Sequence, residues 1–129
     1  MNARIQKELL SLSMGLFIKK DRSKGRGVYT NSSLQKGDQV EECELLLLPL
    51  VNVPREIEGH VFEFTQKTAA IALGNGSLYN HSDNPNCSFS VNHHRKKIIF
   101  KTLRRIKKGE ELTIDYGYNE DFKKRFGLS

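Results

Sequence analysis

Apolar residues in this chain come in short runs interrupted by glycine, asparagine and clusters of charge, a pattern that predicts strands rather than helices. Leu16-Phe17-Ile18 predicts a first strand, Ser23-Lys24-Gly25-Arg26-Gly27 its break, and Val28-Tyr29-Thr30 its resumption. Lys36-Gly37-Asp38 predicts a turn, followed by a strand from Val40 towards Leu48. Pro49 and Pro54 bound an irregular segment. Val61-Phe62-Glu63-Phe64 and Ala69-Ala70-Ile71-Ala72-Leu73 predict two further strands, and Asn75-Gly76 and Asp83-Asn84-Pro85 predict loops. Residues 89–91 and 98–103 read as a hairpin with His93-His94-Arg95-Lys96 at its tip, and Leu112-Thr113-Ile114 starts the last strand. Short helices are expected only at the ends: residues 1–14, and the tail at 119–129 with Asn119 as N-cap. Leu34-Gln35-Lys36-Gly37-Asp38-Gln39-Val40 echoes Ile106-Lys107-Lys108-Gly109-Glu110-Glu111-Leu112. Either a duplication or one tight turn used twice, with glycine accepting φ > 0, accounts for it.

Composition narrows the class. The 129 residues suffice for one domain with a modest core, and 37% are apolar. There is no apolar stretch of the ~20 residues that a membrane helix needs. The run at 9–18, behind Arg4 and Lys7, has the flavour of a signal peptide. It lacks a small-residue cleavage site and continues into Lys19-Lys20-Asp21-Arg22, so it reads as a helix leading into the first strand. The expected division is an extension at 1–14, a domain at 15–118 and a tail at 119–129. Cys43 and Cys87 make no disulfide framework and suit an intracellular, reducing compartment. Cys87, His93 and His94 lack the paired spacing of a zinc site, so no metal is expected.

Charge is segregated. The net charge is +6, yet residues 38–63 hold seven acids against the single base Arg55. Residues 93–108 hold eight bases and no acid. Such asymmetry sorts partners by sign.

Three strings carry candidate chemistry. Glycines spaced as in Gly25-Arg26-Gly27 let backbone approach a ligand closely, though taken alone a hairpin turn is the plainer reading. They are no P-loop, which needs Gly-Lys-Ser/Thr before a helix. The second string is Leu78-Tyr79-Asn80-His81-Ser82 with Pro85-Asn86. An asparagine side chain offers both a donor and an acceptor, which suits a zwitterionic amino-acid group; a polar turn is the plainer reading. A hydrolase triad of Ser82, His81 and Asp115 is disfavoured, because Ser82 lies in no Gly-x-Ser-x-Gly elbow and adjacent Ser and His rarely face each other. The third string, Glu111-Leu112-Thr113-Ile114-Asp115-Tyr116-Gly117, reads as an amphipathic strand ending in a glycine turn, with Tyr116 half-buried.

In this order and at these separations, the strings resemble the signature motifs of the SET-domain protein-lysine methyltransferases, over roughly residues 15–118. The resemblance implies a mostly β, β-clip-like SET-domain fold of several small sheets with few short helices. It also implies a C-terminal pseudoknot, in which the Asn80-His81 stretch threads under another segment. It implies methyl transfer from S-adenosyl-L-methionine to a protein lysine. Gly25, Arg26, Gly27, Tyr79, Asn80, His81 and the tail residue Phe122 would then hold the cofactor, and Tyr116 would be catalytic. Phe89, Ile114, Tyr116 and Tyr118 would line the lysine channel. Neither Phe89 nor Ile114 is a tyrosine, which leaves room for more than one methyl. The chain departs from many members in lacking cysteine-rich zinc segments, with Asp83 where those carry a cysteine. Its insert at 49–60 is short, which leaves a place for a second subunit and hence a homodimer.

The substrate so implied is a basic protein segment with an accessible lysine, such as a histone tail or ribosomal protein, steered by the acids at 38–63. A second reading stays open: a catalytically inactive SET-like basic module that binds nucleic acid or nucleoprotein through residues 93–108. Salt-sensitive phosphate contacts would mark it. Only Phe100 interleaves those bases, which gives little material for base stacking.

Overall fold

The computed structural model describes residues 15–23 and 25–117. Among these, nine strands form two sheets. The strands are β1 (Leu16–Asp21), β2 (Gly25–Thr30), β3 (Gln39–Pro49), β4 (Val61–Glu63), β5 (Thr68–Ala72), β6 (Asn80–His81), β7 (Cys87–Asn92), β8 (Lys97–Thr102) and β9 (Glu111–Ile114). One sheet has the order β1-β2-β9-β6, the other β4-β5-β3-β8-β7. The expected helices at 1–14 and 119–129, and the site candidates Tyr118 and Phe122, lie outside the described residues. No helix among the described residues is long and apolar enough to cross a membrane.

The alternation in the sequence places the core. On β8, Ile98 and Phe100 are fully buried; on β9, Leu112 and Ile114 are. These side chains meet Val28, Leu45, Ala70, Ala72 and Ile106 in one cluster, at about 25 cal/mol per Å² of apolar surface removed from water. The long β3 joins two ladders: its first half pairs with β8 and its second half, Leu45–Pro49, with β5.

Two expectations change. The glycine string does not break the first hairpin: Gly25, at φ +77°, turns the chain, and Gly27 already lies within β2 opposite Lys19. The segment between Pro49 and β4 is not irregular throughout; it contains 3₁₀ turns at Leu50–Asn52 and Arg55–His60. The echoed heptapeptides form reciprocal turns. Leu34 and Ile106 exchange backbone bonds of 2.8 and 3.0 Å, and Gly37 and Gly109 take φ +86° and +91°. Gly37 N–H donates to the Thr102 carbonyl while Gly109 N–H donates to that of Thr30. Asp38 and Glu110 each accept from the backbone N–H three residues earlier, at 2.8 and 2.9 Å.

β6 is two residues long and pairs in parallel with β9, Asn80 with Thr113 and His81 with Ile114. Beside it, Asn86 is 3% exposed; its Nδ2 donates to the Glu111 carbonyl and its Oδ1 accepts from Thr113 N–H, both at 2.8 Å. Ser82 N–H donates to the Ile114 carbonyl at 2.9 Å. The second and third strings are thus laced together along their length, far apart in the chain and adjacent in space.

Candidate functional site

Where the strings converge, one face of the first sheet carries Gly27, Asn80 and Glu111. Asn80 Nδ2 donates to Glu111 Oε2 at 2.7 Å and to the Arg26 carbonyl at 3.2 Å. Both partners accept only, so they orient the carboxamide and leave Oδ1 as the acceptor turned away from them. A Cβ on Gly27 would sit 2.3 Å from Glu111 Oε2 and 2.8 Å from Asn80 Nδ2. The glycine therefore leaves room for these two side chains, not primarily for a ligand. Gly25 meets nothing within 4 Å and serves the turn.

His81 and Tyr116 form the next layer. Tyr116 N–H donates to His81 Nδ1 at 3.0 Å, so the neutral imidazole carries its proton on Nε2, which donates to Asp83 Oδ1 at 2.8 Å. Asp115 Oδ1 lies 3.8 Å from the same Nδ1 and accepts from Gly117 N–H, which closes the turn after β9. Tyr116 Oη donates to the Tyr79 carbonyl at 2.7 Å. The hydroxyl proton is thereby committed, and the oxygen presents lone pairs to whatever lies beside it.

Tyr79 contributes that carbonyl rather than its ring. The side chain is 1% exposed, stacked on Phe100 at 4.2 Å, with Oη donating to Glu41 Oε1 at 2.7 Å. Burial, reinforced by the Glu41 carboxylate, holds its phenol far above the usual range. Tyr79 was expected among the cofactor-binding residues; its ring is buried in the core, so any contact it makes at the site is through its backbone. The same pair of causes pushes the Cys43 thiol up to about 12, and burial raises Cys87 to about 11.

Three cavities meet here. The narrowest, about 10 Å³ and the size of one water, is lined by His60, Val61, Phe62, Ser77, Tyr79 and Tyr116. A slot of about 220 Å³ lies against Val61, Phe62, Glu63, Phe89, Tyr116 and Gly117. A second apolar cavity of about 220 Å³ lies against Arg26, Ile57, His60, Ile71, Ser77 and Leu78. The two larger cavities share no lining residue, yet the narrow one shares Tyr116 with the first and Ser77 with the second. Through these shared residues the narrow cavity, an aperture in size, borders both larger chambers.

Phe89, a channel candidate, lines this slot, edge-on to Phe62 with ring centroids 5.2 Å apart. Ile114 does not: it is fully buried in the core, because the alternation of β9 turns it inward with Leu112. Phe62 and His60 were not singled out from the sequence; Glu111 and Asn86 stood inside the quoted strings, and Glu63 among the steering acids, with no role in the site assigned to them. Glu111 had a legible signal: it sits inside the third string, on the β9 face opposite Tyr29. Phe62 sat in a strand-like run whose alternation gave no hint of a slot. Among the eight bases at 93–108, Lys97 pairs with Glu44 and Arg104 with Glu110, each at 3.3 Å, and Phe100 is buried.

A family model described as the SET domain matches residues 25–117. The chain is 28% identical over 107 residues to the "Histone-lysine N-methyltransferase, H3 lysine-37 specific" of Schizosaccharomyces pombe, covering 79% of this chain and 73% of that protein. It is 29% identical over 121 residues to the N-lysine methyltransferase KMT5A-A of Danio rerio, 80% of this chain but 35% of that one. Among solved structures, a Plasmodium falciparum protein assigned as a histone methyltransferase superposes with a TM-score of 0.70 at 27% identity. That match covers 81% of this chain and 98% of the other.

Proposed function

Because this chain belongs to the SET-domain family of protein-lysine methyltransferases, we propose that it moves a methyl group from S-adenosyl-L-methionine to a lysine in a basic protein segment, a histone tail being the leading candidate. The observation that carries this reading is the aperture: Tyr116 stands at a one-water constriction between two chambers, one of them next to the Arg26–Asn80–Glu111 cluster.

The residues present fit the cofactor. Asn80 Oδ1, oriented by its amide bonds, accepts from an α-ammonium, and the Glu111 carboxylate beside it adds negative charge suited to a cationic ligand. His81 flanks the same stretch. When bound, the cofactor supplies a methyl group on a positively charged sulfur. The slot takes the lysine: Phe62 and Phe89 line the aliphatic stem, and Glu63 complements the ammonium as it enters. Tyr116 Oη, its proton held by the Tyr79 carbonyl, accepts an N–H of the amine and so aims the nitrogen lone pair through the aperture. Alignment at near-attack distance supplies much of the rate.

Two variants test the division of labour. Tyr116→Phe is expected to lower turnover on histone H3 while cofactor affinity, measured by calorimetry, stays within about twofold. Asn80→Ala is expected to weaken cofactor binding by about tenfold or more. Equal loss of both properties in both variants would show that the roles are misassigned.

A further inference from the structure

A lysine reaches the site as an ammonium, with a reference pKa of about 10.4, and must lose a proton before it can attack. Tyr116 is poorly placed to take that proton, because its hydroxyl already donates to the Tyr79 carbonyl and serves to orient the amine. His60 offers what is needed. It ends the 3₁₀ turn Arg55–His60, is exposed to solvent, and lines both the aperture and the adjoining chamber. Its Nδ1 lies 2.9 Å from the Ser77 carbonyl. A carbonyl only accepts, so Nδ1 carries the proton and Nε2 of the neutral ring carries a basic lone pair.

Resting on the proposed methyl transfer, we infer that His60 accepts the substrate's proton through the single water that fits the aperture. One N–H bond of the ammonium breaks, its proton passes to the water, and the water releases a proton to His60 Nε2. The ring becomes an imidazolium still bonded to the Ser77 carbonyl, and it discharges to solvent. Once the water has left the aperture, the freed amine lone pair would be open to the methyl group that the cofactor supplies, whose S–CH3 bonding pair would stay on sulfur. A proton acceptor one water away is within the reach general-base catalysis needs. The other ionisable groups lining these cavities are Tyr116, Tyr79, which is engaged with Glu41, and Arg26; Arg55, Glu56 and Glu58 share the turn. Glu63, in the slot, is the rival acceptor, but a carboxylate is a weaker base than imidazole.

The test is single-turnover methylation of histone H3 between pH 7 and 10, by wild type, His60→Gln and Glu63→Gln, with cofactor affinity measured in parallel. Glutamine keeps a donor for the Ser77 carbonyl but no base. The expected result for His60→Gln is cofactor affinity within about twofold and a rate about 100-fold lower at pH 7. That gap closes as pH approaches about 10, where the free amine becomes abundant. Added imidazole is expected to restore part of the rate in His60→Ala. In ¹⁵N-histidine spectra of the unliganded protein, the neutral His60 ring is expected to be protonated at Nδ1. A loss constant across pH marks a purely structural role and overturns the inference. So does an Nε2-protonated ring, or a pH-dependent loss seen in Glu63→Gln in place of His60→Gln. Wild-type protein that binds no cofactor would remove the methyl-transfer reading itself, and the role of His60 with it.

Discussion

Gly27→Ala separates two explanations of the glycine string. If the glycine exists to admit a ligand, the new methyl group collides with that ligand. If it exists for Asn80 and Glu111, the methyl group collides with them, 2.3 Å from one carboxylate oxygen and 2.8 Å from the amide nitrogen. Both are far ends of side chains, so the backbone can stay while the carboxylate swings away. The cost is then the Asn80–Glu111 hydrogen bond and the orientation it imposes. Hydrogen bonds to charged groups contribute about 1.5–3 kcal/mol, which corresponds to roughly 10- to 100-fold weaker binding of S-adenosylmethionine. The decisive assay is a double-mutant cycle with Glu111→Ala, read by calorimetric Kd and by urea unfolding. Without the carboxylate the added methyl group meets only the movable end of the Asn80 side chain, so Gly27→Ala should cost less in that background. The coupling energy should exceed about 1 kcal/mol. Additivity within about 0.5 kcal/mol would refute the reasoning and return the glycine to the ligand.

Asn86→Ala should lower stability by about 2–5 kcal/mol in urea unfolding, since it orphans the part-buried Glu111 carbonyl and Thr113 N–H together; a loss under about 1 kcal/mol would mean that neighbours or water replace the clasp. Glu110 is held below the usual carboxylate range, chiefly by the Lys107 N–H and then by Arg104. Its contribution is therefore present above the unfolded pKa of about 4.3 and is lost as pH falls through the lower folded value. Wild type should accordingly lose its stability advantage over Glu110→Gln on acidification from about pH 5 downwards, and an advantage unchanged by acid would contradict that sign. Replacing Glu56, Glu58 and Glu63 by Gln should reduce kcat/KM on basic peptides at ~0.01 M salt, where the Debye length is about 30 Å, and matter little at ~1 M, where it is about 3 Å. Equal activity at low salt would remove steering by this segment.

Most strands were legible because alternation is a local signal that tertiary packing then obeys: Val61–Glu63, Cys87–Asn92 and Lys97–Thr102 fall where the runs put them, within a few residues. β6 was not legible. Two residues carry no period, and Asn80–His81 is a strand only because Thr113 and Ile114 arrive beside it from another part of the chain. The motif strings named residues that the structure brings together, Arg26, Asn80, His81 and Tyr116, but could not say which of their atoms face the cavities. Tyr79 reads as a candidate ring and turns out to offer a carbonyl. Ile114 reads as a channel wall, and the pleat of β9 turns it into the core. Gly25 and Gly27 look equivalent in sequence, yet one needs φ +77° and the other needs the absence of a Cβ.

These failures share a cause. Two groups at the aperture, the Tyr79 and Ser77 carbonyls, are backbone, which every residue type carries, so side-chain identity marks them only indirectly. What the sequence does encode is the side chain that orients each of two carbonyls from a distance: Tyr116 for Tyr79, and His60 for Ser77. Tyr116 was recognisable because it stands inside a motif string. His60 was not, since nothing local to the insert distinguishes a histidine that anchors a carbonyl from one on a solvated turn. Residues of this second kind are set by the pairing of the Asn80–His81 and Glu111–Ile114 segments, which brings Tyr116 to the aperture and only then gives His60 something to face.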